Sequence, residues 1–347
     1  MTNTTFNRQI FYAVTSFLLG VWAFVKVNSI SGPAFEPILA ACMNADIAID
    51  EFASKTGYHT YEPRVGLGAF NALVCLITQF LFELRQTYPA GVLVWGGVFV
   101  VALPATALGT LGAGRAGRGP IRYPVIMGLL AQLFGISVIY PLICVPSFIF
   151  GEIKPSAPLT SFRIIMAALL TLPGIILTVI VFTASTDSYL WTVSAGMLGG
   201  PILALFSLGL WKDSSKIVPT TVQSMQTTLR SVKTLYRLLA LVGFFGWYYL
   251  VAIACSYYDT VGDLWNSIWV NANSSVAFMT IDTGVLYLGL LLFISFQSES
   301  KALKALFLTL ILGPATAICL TFAELEDEVT MKSIAELAAK DDGKKDK

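Results

Sequence analysis

The chain has 347 residues, of which 56% are hydrophobic and only 12% are charged, and its formal net charge is +1. Soluble domains carry about 25% charged residues, so this composition is typical of a membrane protein with several spans. A net charge near zero provides neither a basic field for nucleic acid nor an acidic field for a cationic partner, and we expect neither partner.

Cysteine and histidine patterns give little support for a metal site or a cofactor. The five cysteines include no C-x-x-C pair, and His59 is the only histidine in the sequence. We therefore do not expect a zinc site, a disulfide framework, a Cys/His catalytic pair, or a haem or copper site. The glycine-rich stretch 111–117 lacks the strand context of a dinucleotide site and is interpreted as a loop. We predict that the protein uses neither a metal nor a cofactor.

Apolar runs that are long enough to cross a bilayer recur along the chain. A helix of about 20 residues spans about 30 Å of hydrocarbon. Candidate runs lie at 9–26, 65–82, 91–111, 124–150, 164–184, 188–211, 238–258, 276–297 and 305–323. Prolines in the run 124–150 predict a kinked or broken helix there. We predict an all-α, polytopic transmembrane helix bundle with eight or nine spans, in which residues 1–323 form a single domain.

Three hydrophilic segments interrupt or follow these runs. Residues 31–64 are interpreted as an acidic loop, because they are too long for a tight connector. Residues 212–237 combine apolar residues at helical spacing with basic ones, which predicts a helix that lies on the membrane or extends the seventh span. Residues 324–347 form a charged tail, for which we expect helical structure only in part.

The tail bears on orientation and location. It ends in Lys344-Lys345-Asp346-Lys347, which resembles the dilysine signal that retrieves proteins to the endoplasmic reticulum from the cytosolic side. With nine spans, the positive-inside rule places the N-terminus in the cytosol and this tail in the lumen. Eight spans with both ends in the cytosol reconcile the two constraints. We therefore expect an integral membrane protein of the endoplasmic reticulum.

Asp282 is the strongest candidate for chemistry, because it lies about six residues inside an apolar run and is the only charged residue between Asp263 and Glu299. No lysine or arginine lies within one helical turn. Without a counter-ion from another helix the carboxyl group stays protonated and is a ready proton donor. The alternatives are a position nearer the interface and a structural hydrogen bond to a neighbouring helix.

Other polar residues near the spans are weaker candidates. Glu83 and Arg85 lie at the end of the second run, where snorkelling to the interface is the alternative explanation. Asn71 on the same run and Gln132 on the fourth are uncharged groups at membrane depth, which more often join neighbouring helices than bind a substrate.

Aromatic residues suggest a pocket that stabilises a cation. Trp247 and Tyr248 lie in the middle of a run, where the interfacial aromatic belt does not explain them, although ordinary packing does. Asp263, in the next connection, is a candidate for the mouth of such a pocket. Tyr61, in the acidic loop, is a candidate for a lid above it, with a solvated loop as the alternative.

Several stretches together resemble the fungal membrane-bound terpene cyclases of the ascI type, the ascofuranone and macrophorin cyclases. They are Tyr61-Glu62-Pro63 before the second run, Glu83-Leu84-Arg85 at its end, Gln132 with Pro141-Leu142 on the fourth, and the late Asp282. Enzymes of this family cyclise farnesylated phenols or quinones, usually after epoxidation of the terminal alkene. The resemblance therefore implies a lipophilic prenylated aromatic substrate and a role in meroterpenoid biosynthesis.

This chemistry also suits the residues. Opening an epoxide requires a Brønsted acid, which a desolvated carboxylic acid supplies, and the cation requires aromatic faces and the exclusion of water. We expect Asp282 or Glu83 to protonate the substrate and Asp263 to assist or to take the final proton. The expected substrate contacts are Trp247, Tyr248, Tyr61, Gln132, Arg85 and Asn71. Two other classes stay open, a proton-coupled membrane transporter and a non-catalytic receptor or assembly factor.

Overall fold

A computed structural model describes residues 3–43, 69–115, 119–151, 153–154, 156–186, 188–198 and 218–345. Within these ranges the chain forms helices and turns and no strand. The helices are α1 (Asn3–Met43), α2 (Ala69–Gln86), α3 (Ala90–Arg115), α4 (Pro124–Phe134), α5 (Ile136–Phe150), α6 (Ser161–Leu169), α7 (Leu172–Thr183), α8 (Tyr189–Leu198), α9 (Val222–Tyr257), α10 (Val261–Trp265), α11 (Ser274–Gln297), α12 (Glu299–Leu312) and α13 (Pro314–Lys345).

Five helical stretches in the described part of the chain are long and apolar enough to cross a bilayer. They are Phe6–Ala34 within α1, α3, Ser161–Thr183 (α6 with α7), α9 and α11, and the bent pair α4–α5 makes a sixth if it counts as one span. The predicted all-α architecture is confirmed, and it is compatible with a helical membrane bundle. The count of eight spans stays a prediction.

Polar caps and prolines set the starts of several helices. Thr221 Oγ1 accepts a hydrogen bond from Ser224 N–H at 3.1 Å where α9 begins. Asn273 Oδ1 accepts one from Val276 N–H at 2.9 Å where α11 begins. Pro124 and Pro314 begin α4 and α13, because a first-turn residue does not need its N–H for the helix.

One end of the bundle, here called the charged end, holds the start of α1, the end of α3 and the α11–α12 junction. Arg8 donates to the Ser295 carbonyl at 3.2 Å and lies 3.7 Å from Glu299. Arg115, the last residue of α3, forms a buried two-pronged ion pair with Glu326 of α13. The opposite end, here called the disulfide end, holds the C-terminal part of α1, where Cys42 is bonded to Cys75 of α2.

The pair α4–α5 forms a hairpin that enters and leaves at the charged end. The two helices are bent by 120° at Gly135, which has a positive φ of 89°. The chain leaves Arg115 shortly before α4, and after α5 the Lys154 N–H donates to the Arg115 carbonyl at 3.2 Å. Because the chain leaves Arg115 and comes back to it, the two ends of α4–α5 lie side by side, as in a re-entrant hairpin. The predicted break in the run 124–150 is confirmed, but it lies at Gly135 and not at one of the prolines from which it was predicted.

A second re-entrant hairpin, α12–α13, replaces the ninth candidate span. Lys301 pairs with Glu328 and Lys304 pairs with Glu324, each at 2.6 Å, so α13 returns beside the start of α12. The turn is at Gly313, whose φ is 83°, followed by Pro314. The prediction of one span over 305–323 is wrong, because a positive-φ glycine and a proline stop the helix halfway and reverse the chain.

Other sequence-based expectations need correction. Residues 31–43 are not loop but the last turns of α1, where Ile38 is buried and Cys42 is bonded to Cys75, so the expectation of no disulfide is also wrong. The rest of the acidic segment, residues 44–64, lies outside the described residues. Leu111–Arg115 are helical rather than loop.

The basic connector and the charged tail both continue neighbouring helices. Residues 222–237 belong to α9, so the connector extends the seventh run, as one of the two alternatives predicted. Residues 324–345 continue α13 without a break. Glutamates of this segment pair with Arg115, Lys301 and Lys304, which explains why its first turns pack against the bundle.

Candidate functional site

A cavity of about 300 Å³ lies between α3, α4, α5, α7 and α11. Its lining is mostly aliphatic, with the aromatic rings of Trp95, Phe99, Tyr140 and Phe148. Asp282 is the only charged residue among the described residues that line it. The sequence predicted a carboxyl group in an aromatic, largely apolar pocket. The rings that line this cavity are not those of Trp247 and Tyr248, which the sequence had suggested.

Asp282 is held at the tip of the first re-entrant hairpin. Its side chain is buried, with 3% of the residue exposed, and its Oδ1 accepts a hydrogen bond from Ser137 N–H at 3.0 Å. Ser137 is the second residue of α5, whose first N–H groups have no partner within the helix. The break in the helix therefore supplies a hydrogen bond that a buried carboxyl group needs.

Gly135 makes this contact possible. A Cβ added at position 135 would lie 3.2 Å from Asp282 Oδ1 and 3.2 Å from Phe278 Cζ. The positive φ of Gly135 also disfavours other residues. Because the hairpin tip and the carboxyl group occupy adjoining space, the fold and the site depend on the same glycine.

Glu83 lies outside the cavity, at the start of α11. Its carboxylate accepts hydrogen bonds from Ser275 Oγ at 2.6 Å and from Ser274 Oγ at 3.3 Å. A negative group is stabilising at a helix N-terminus. Ser275 precedes Asp282 by two turns, about 10 Å along the helix axis. Glu83 therefore fixes the helix that carries Asp282, and it is not among the residues that line the cavity.

Arg85 binds the C-terminal end of α7. Its Nη1 donates to the Val181 carbonyl at 3.1 Å and also to the Ala184 carbonyl. These carbonyls have no partner within the helix, so the guanidinium group completes their hydrogen bonding. Arg85 does not line the cavity.

Trp247 and Tyr248 support the tip of the second hairpin rather than the cavity. A Cβ at Gly313 would overlap Trp247, so the indole packs directly on the turn. The Tyr248 hydroxyl donates to the Ile311 carbonyl at 2.6 Å, and Tyr248 is 44% exposed. Both residues lie in the middle of the run 238–258, which is the C-terminal part of α9, and neither lines the cavity.

The remaining predicted site residues are placed as follows. Asp263 is exposed and caps α10, where its Oδ2 accepts hydrogen bonds from Thr260 N–H at 3.1 Å and Thr260 Oγ1 at 2.7 Å. Tyr61 lies outside the described residues, and Asn71 lies in α2 with its side chain outside them. Gln132 lines the cavity. Of the predicted set, the structure thus brings Asp282 and Gln132 together.

Trp95, Phe99 and Tyr140 line the cavity and were missed. Trp95 donates through Nε1 to Thr178 Oγ1 at 3.0 Å, which joins α3 to α7 across the cavity wall. Tyr140 is the first residue of a π turn, Tyr140–Cys144, within α5. The sequence signal for Tyr140 was its place directly before Pro141, because π turns and helix-breaking prolines often mark functional positions.

Among the residues that the structure describes, no group of three or more His, Cys, Asp or Glu side chains is arranged to hold a metal ion. Comparisons of the chain with protein-family models, with curated proteins and with solved structures find no match. The site itself brings one carboxyl group to the wall of a largely apolar cavity that also holds four aromatic rings.

Proposed function

We propose that this chain is an integral-membrane terpene cyclase of the endoplasmic reticulum, in which Asp282 opens the terminal epoxide, or protonates an alkene, of a farnesylated phenol or quinone. The observation that carries the proposal is the position of Asp282, which is the only carboxyl group among the described lining of an aromatic cavity. Glu83 takes a positioning role, because it binds the first turn of the same helix from outside the cavity.

The chemistry requires one acid and a dry, aromatic surface. The protonated carboxyl group gives its proton to the epoxide oxygen, the tertiary C–O bond breaks, and the cation is attacked by the alkenes of the chain. Trp95, Phe99 and Phe148 present the rings that stabilise positive charge along this path. Loss of a proton from the last cation, or from a hydroxyl that captures it, restores the acid, so the product is an isomer of the substrate.

The size and the walls of the cavity suit a flexible lipophilic molecule. A volume of about 300 Å³ lies at the small end of the range for small-molecule sites, so a long prenyl chain has to fold to fit. Helix α4 forms one wall, with Met127 and Ala131 among its lining residues, and exposes Ile126, Leu133 and Phe134 on its surface. These exposed apolar residues suit contact with lipid, from which a prenylated substrate can enter.

The test uses microsomes that contain the wild type or the Asp282→Asn variant and a terminally epoxidised farnesyl phenol. Asparagine keeps the size of the side chain and can still accept the Ser137 N–H, but it cannot give a carboxylic proton. We expect a product of unchanged mass from the wild type and a loss of at least about 100-fold in rate for Asp282→Asn.

Glu83→Gln is the matched control, because it neutralises a carboxylate outside the cavity. We expect this variant to keep most of its activity in proportion to the folded protein. If cyclisation survives Asp282→Asn and disappears with Glu83→Gln, the proton donor is Glu83 and not Asp282, and the proposed mechanism is overturned.

A proton-coupled transporter is the second candidate, and the two re-entrant hairpins favour it. Helices broken at mid-depth beside an acidic residue are typical of transporters. Proteoliposomes with an imposed pH gradient discriminate between the two: accumulation of an unmodified lipophilic solute that depends on Asp282 supports transport, whereas an isomerised product without a gradient supports cyclisation.

A further inference from the structure

Gln132 is a polar residue of α4 that lies in an apolar part of the surface. It lines the cavity and is also exposed, as is Leu129 one turn before it, so the cavity opens on the surface at this point. The exposed neighbours Leu133 and Phe134 are apolar. Within the described part of the chain, no hydrogen bond joins the Gln132 amide to another residue. A hydrogen bond to a neighbouring helix, the alternative that the sequence raised, is therefore not seen.

The opening beside Gln132 has room for a ligand. Gly128, one turn earlier on the same face of α4, also lines the cavity, and a Cβ added there would meet nothing within 4 Å. An amide in apolar surroundings loses its hydrogen bonds to water unless another group replaces them. A ligand oxygen in this space would replace them.

Gln132 lies within reach of the same ligand atom as Asp282. The Gly135 N–H closes the last turn of α4 on the Ala131 carbonyl at 3.0 Å, so Gln132 lies one turn before Gly135, with Cβ positions about 5–6 Å apart. A Cβ at Gly135 would lie 3.2 Å from Asp282 Oδ1. The Gln132 Cβ is thus within about 9 Å of that oxygen, and a glutamine amide extends about 4 Å beyond Cβ. The remaining gap of about 5 Å accommodates one oxygen atom with a hydrogen bond on each side.

Other amide, indole and hydroxyl donors of the described lining do not compete for this position. Three of them are engaged within the protein or enclosed by it, namely Trp95, Thr171 and Tyr140. Thr106 lies on α3 about 14 Å beyond Gly97, which adjoins α11 beside the acid, and the next lining threonine is one turn farther. Gln132 is therefore the donor that can share a ligand atom with the acid.

We propose that Gln132 is the specificity-determining residue of the cyclase and that it recognises the oxygen of a terminal epoxide. Its amide N–H donates to one lone pair of the epoxide oxygen, and the Asp282 carboxyl group gives its proton to the other. The electron pair of the breaking C–O bond stays on the oxygen, which becomes a hydroxyl group and remains bound to the amide. A terminal alkene offers no such acceptor. This inference rests on the proposed function, and of the two reactive groups named there it selects the epoxide.

The test compares two substrates in two proteins. The substrates are the farnesyl phenol with a terminal epoxide and the same molecule with the terminal alkene, and the proteins are the wild type and Gln132→Leu, which removes the amide at similar size. Because the hydrogen bond forms on binding, we expect Gln132→Leu to raise KM for the epoxide about tenfold, as for one hydrogen bond, and to change kcat little. Turnover of the alkene should not change. The thermal midpoint of ligand-free Gln132→Leu should be unchanged or higher, because the variant loses an unpaired amide.

Gln9→Leu is the matched control, because it removes an amide outside the cavity. The Gln9 amide donates to the Ile149 carbonyl at 3.4 Å, and Gln9 is not among the described lining residues. We expect this variant to leave KM for both substrates unchanged. If Gln132→Leu leaves KM for the epoxide unchanged, or raises KM equally for both substrates, recognition of the epoxide oxygen is overturned.

A binding measurement separates this recognition from the cyclase. Both substrates are added to detergent-purified Asp282→Asn, which lacks the proton that starts the reaction, with and without Gln132→Leu, and their affinities are measured at equilibrium. If the wild type gives no product but Gln132→Leu weakens binding of the epoxide about tenfold and leaves the alkene unchanged, the recognition stands and the cyclase proposal fails. If the wild type cyclises the epoxide and Gln132→Leu alters neither KM nor affinity, the cyclase stands and the recognition fails. Absence of product and of any difference in affinity overturns both.

Discussion

The ion pair between Arg115 and Glu326 is the residue-scale feature with the largest expected effect on stability. Their side chains are 6% and 10% exposed, and one of the two hydrogen bonds measures 2.8 Å. Removing one partner of a buried pair leaves the other charge without compensation, at a cost of about 3–5 kcal/mol. We expect Glu326→Gln to lower the thermal midpoint of the purified protein strongly.

Asp327→Asn provides the comparison for this prediction. Asp327 pairs with Lys233 at 2.9 Å, but the two side chains are 44% and 25% exposed, and such pairs contribute about 0–1 kcal/mol. Both variants remove one carboxylate from the same helix. Equal thermal midpoints for the two variants would show that burial does not decide how much an ion pair contributes to stability.

At the scale of elements, the Cys42–Cys75 bond ties the end of α1 to α2. A bond that closes a sequence separation of 33 residues stabilises a folded chain by about 3–4 kcal/mol in the chain-entropy treatment. We expect Cys42→Ser to lower the thermal midpoint and to abolish its sensitivity to reductant. Cys255→Ser, at an exposed free cysteine, should change neither, and an equal response of both variants would contradict a structural disulfide.

The packing of α4 against the cavity leads to a second prediction at this scale. A Cβ at Gly128 would meet nothing within 4 Å, and Gly128 lines the cavity. We expect Gly128→Leu to fill the space and to lower cyclisation by at least about tenfold while the protein still folds. Gly284→Leu is the control, since Gly284 also has open space but lies outside the cavity lining. Equal activities would show that the cavity does not hold the substrate.

The whole molecule has two unlike ends, and this asymmetry predicts its orientation. The cations that contacts place at the charged end include Arg8, Arg115, Lys154 and Lys301, whereas Arg85 contacts the opposite side of the bundle. The positive-inside rule assigns the charged end to the cytosol, and a disulfide favours an oxidising compartment for the other end.

This orientation places the start of α1 and the end of α13 in the cytosol, which agrees with the expected retrieval signal. We expect tags at both termini to be cleaved by a protease added to intact microsomes. Samples opened with detergent give the reference for full cleavage. Protection of either tag until detergent is added would contradict the orientation.

The sequence predicted the parts of this structure that depend on composition. Asp282 was identified because one charge in an apolar run is costly, and this holds whatever the surrounding topology. The helical class followed from the apolar runs. A break in the run 124–150 was expected from its prolines, although the chain turns at Gly135 and not at a proline. Gln132 was identified as a polar residue at membrane depth, and it lies at the cavity.

Features that depend on the direction of the chain were not predictable. Hydropathy shows that the run 305–323 is apolar, but it carries no information on the direction of the chain. The reversal at Gly313 is seen from the contact between Lys304 and Glu324. Trp247 was expected in a pocket because it lies in mid-span, yet the rotation of α9 turns it towards Gly313. The Cys42–Cys75 bond joins residues whose spacing carries no signal.

The wall that α4 forms beside the cavity is one helix thick, with lining residues such as Met127 and surface-exposed residues such as Leu133. For a ligand that enters past this wall, the bilayer is the solvent. The ligand concentration that matters is then its mole fraction in lipid and not its amount per volume of water. Adding substrate-free vesicles that fuse with the host membrane then dilutes the ligand and slows a subsaturated reaction. Adding buffer leaves the rate per protein unchanged.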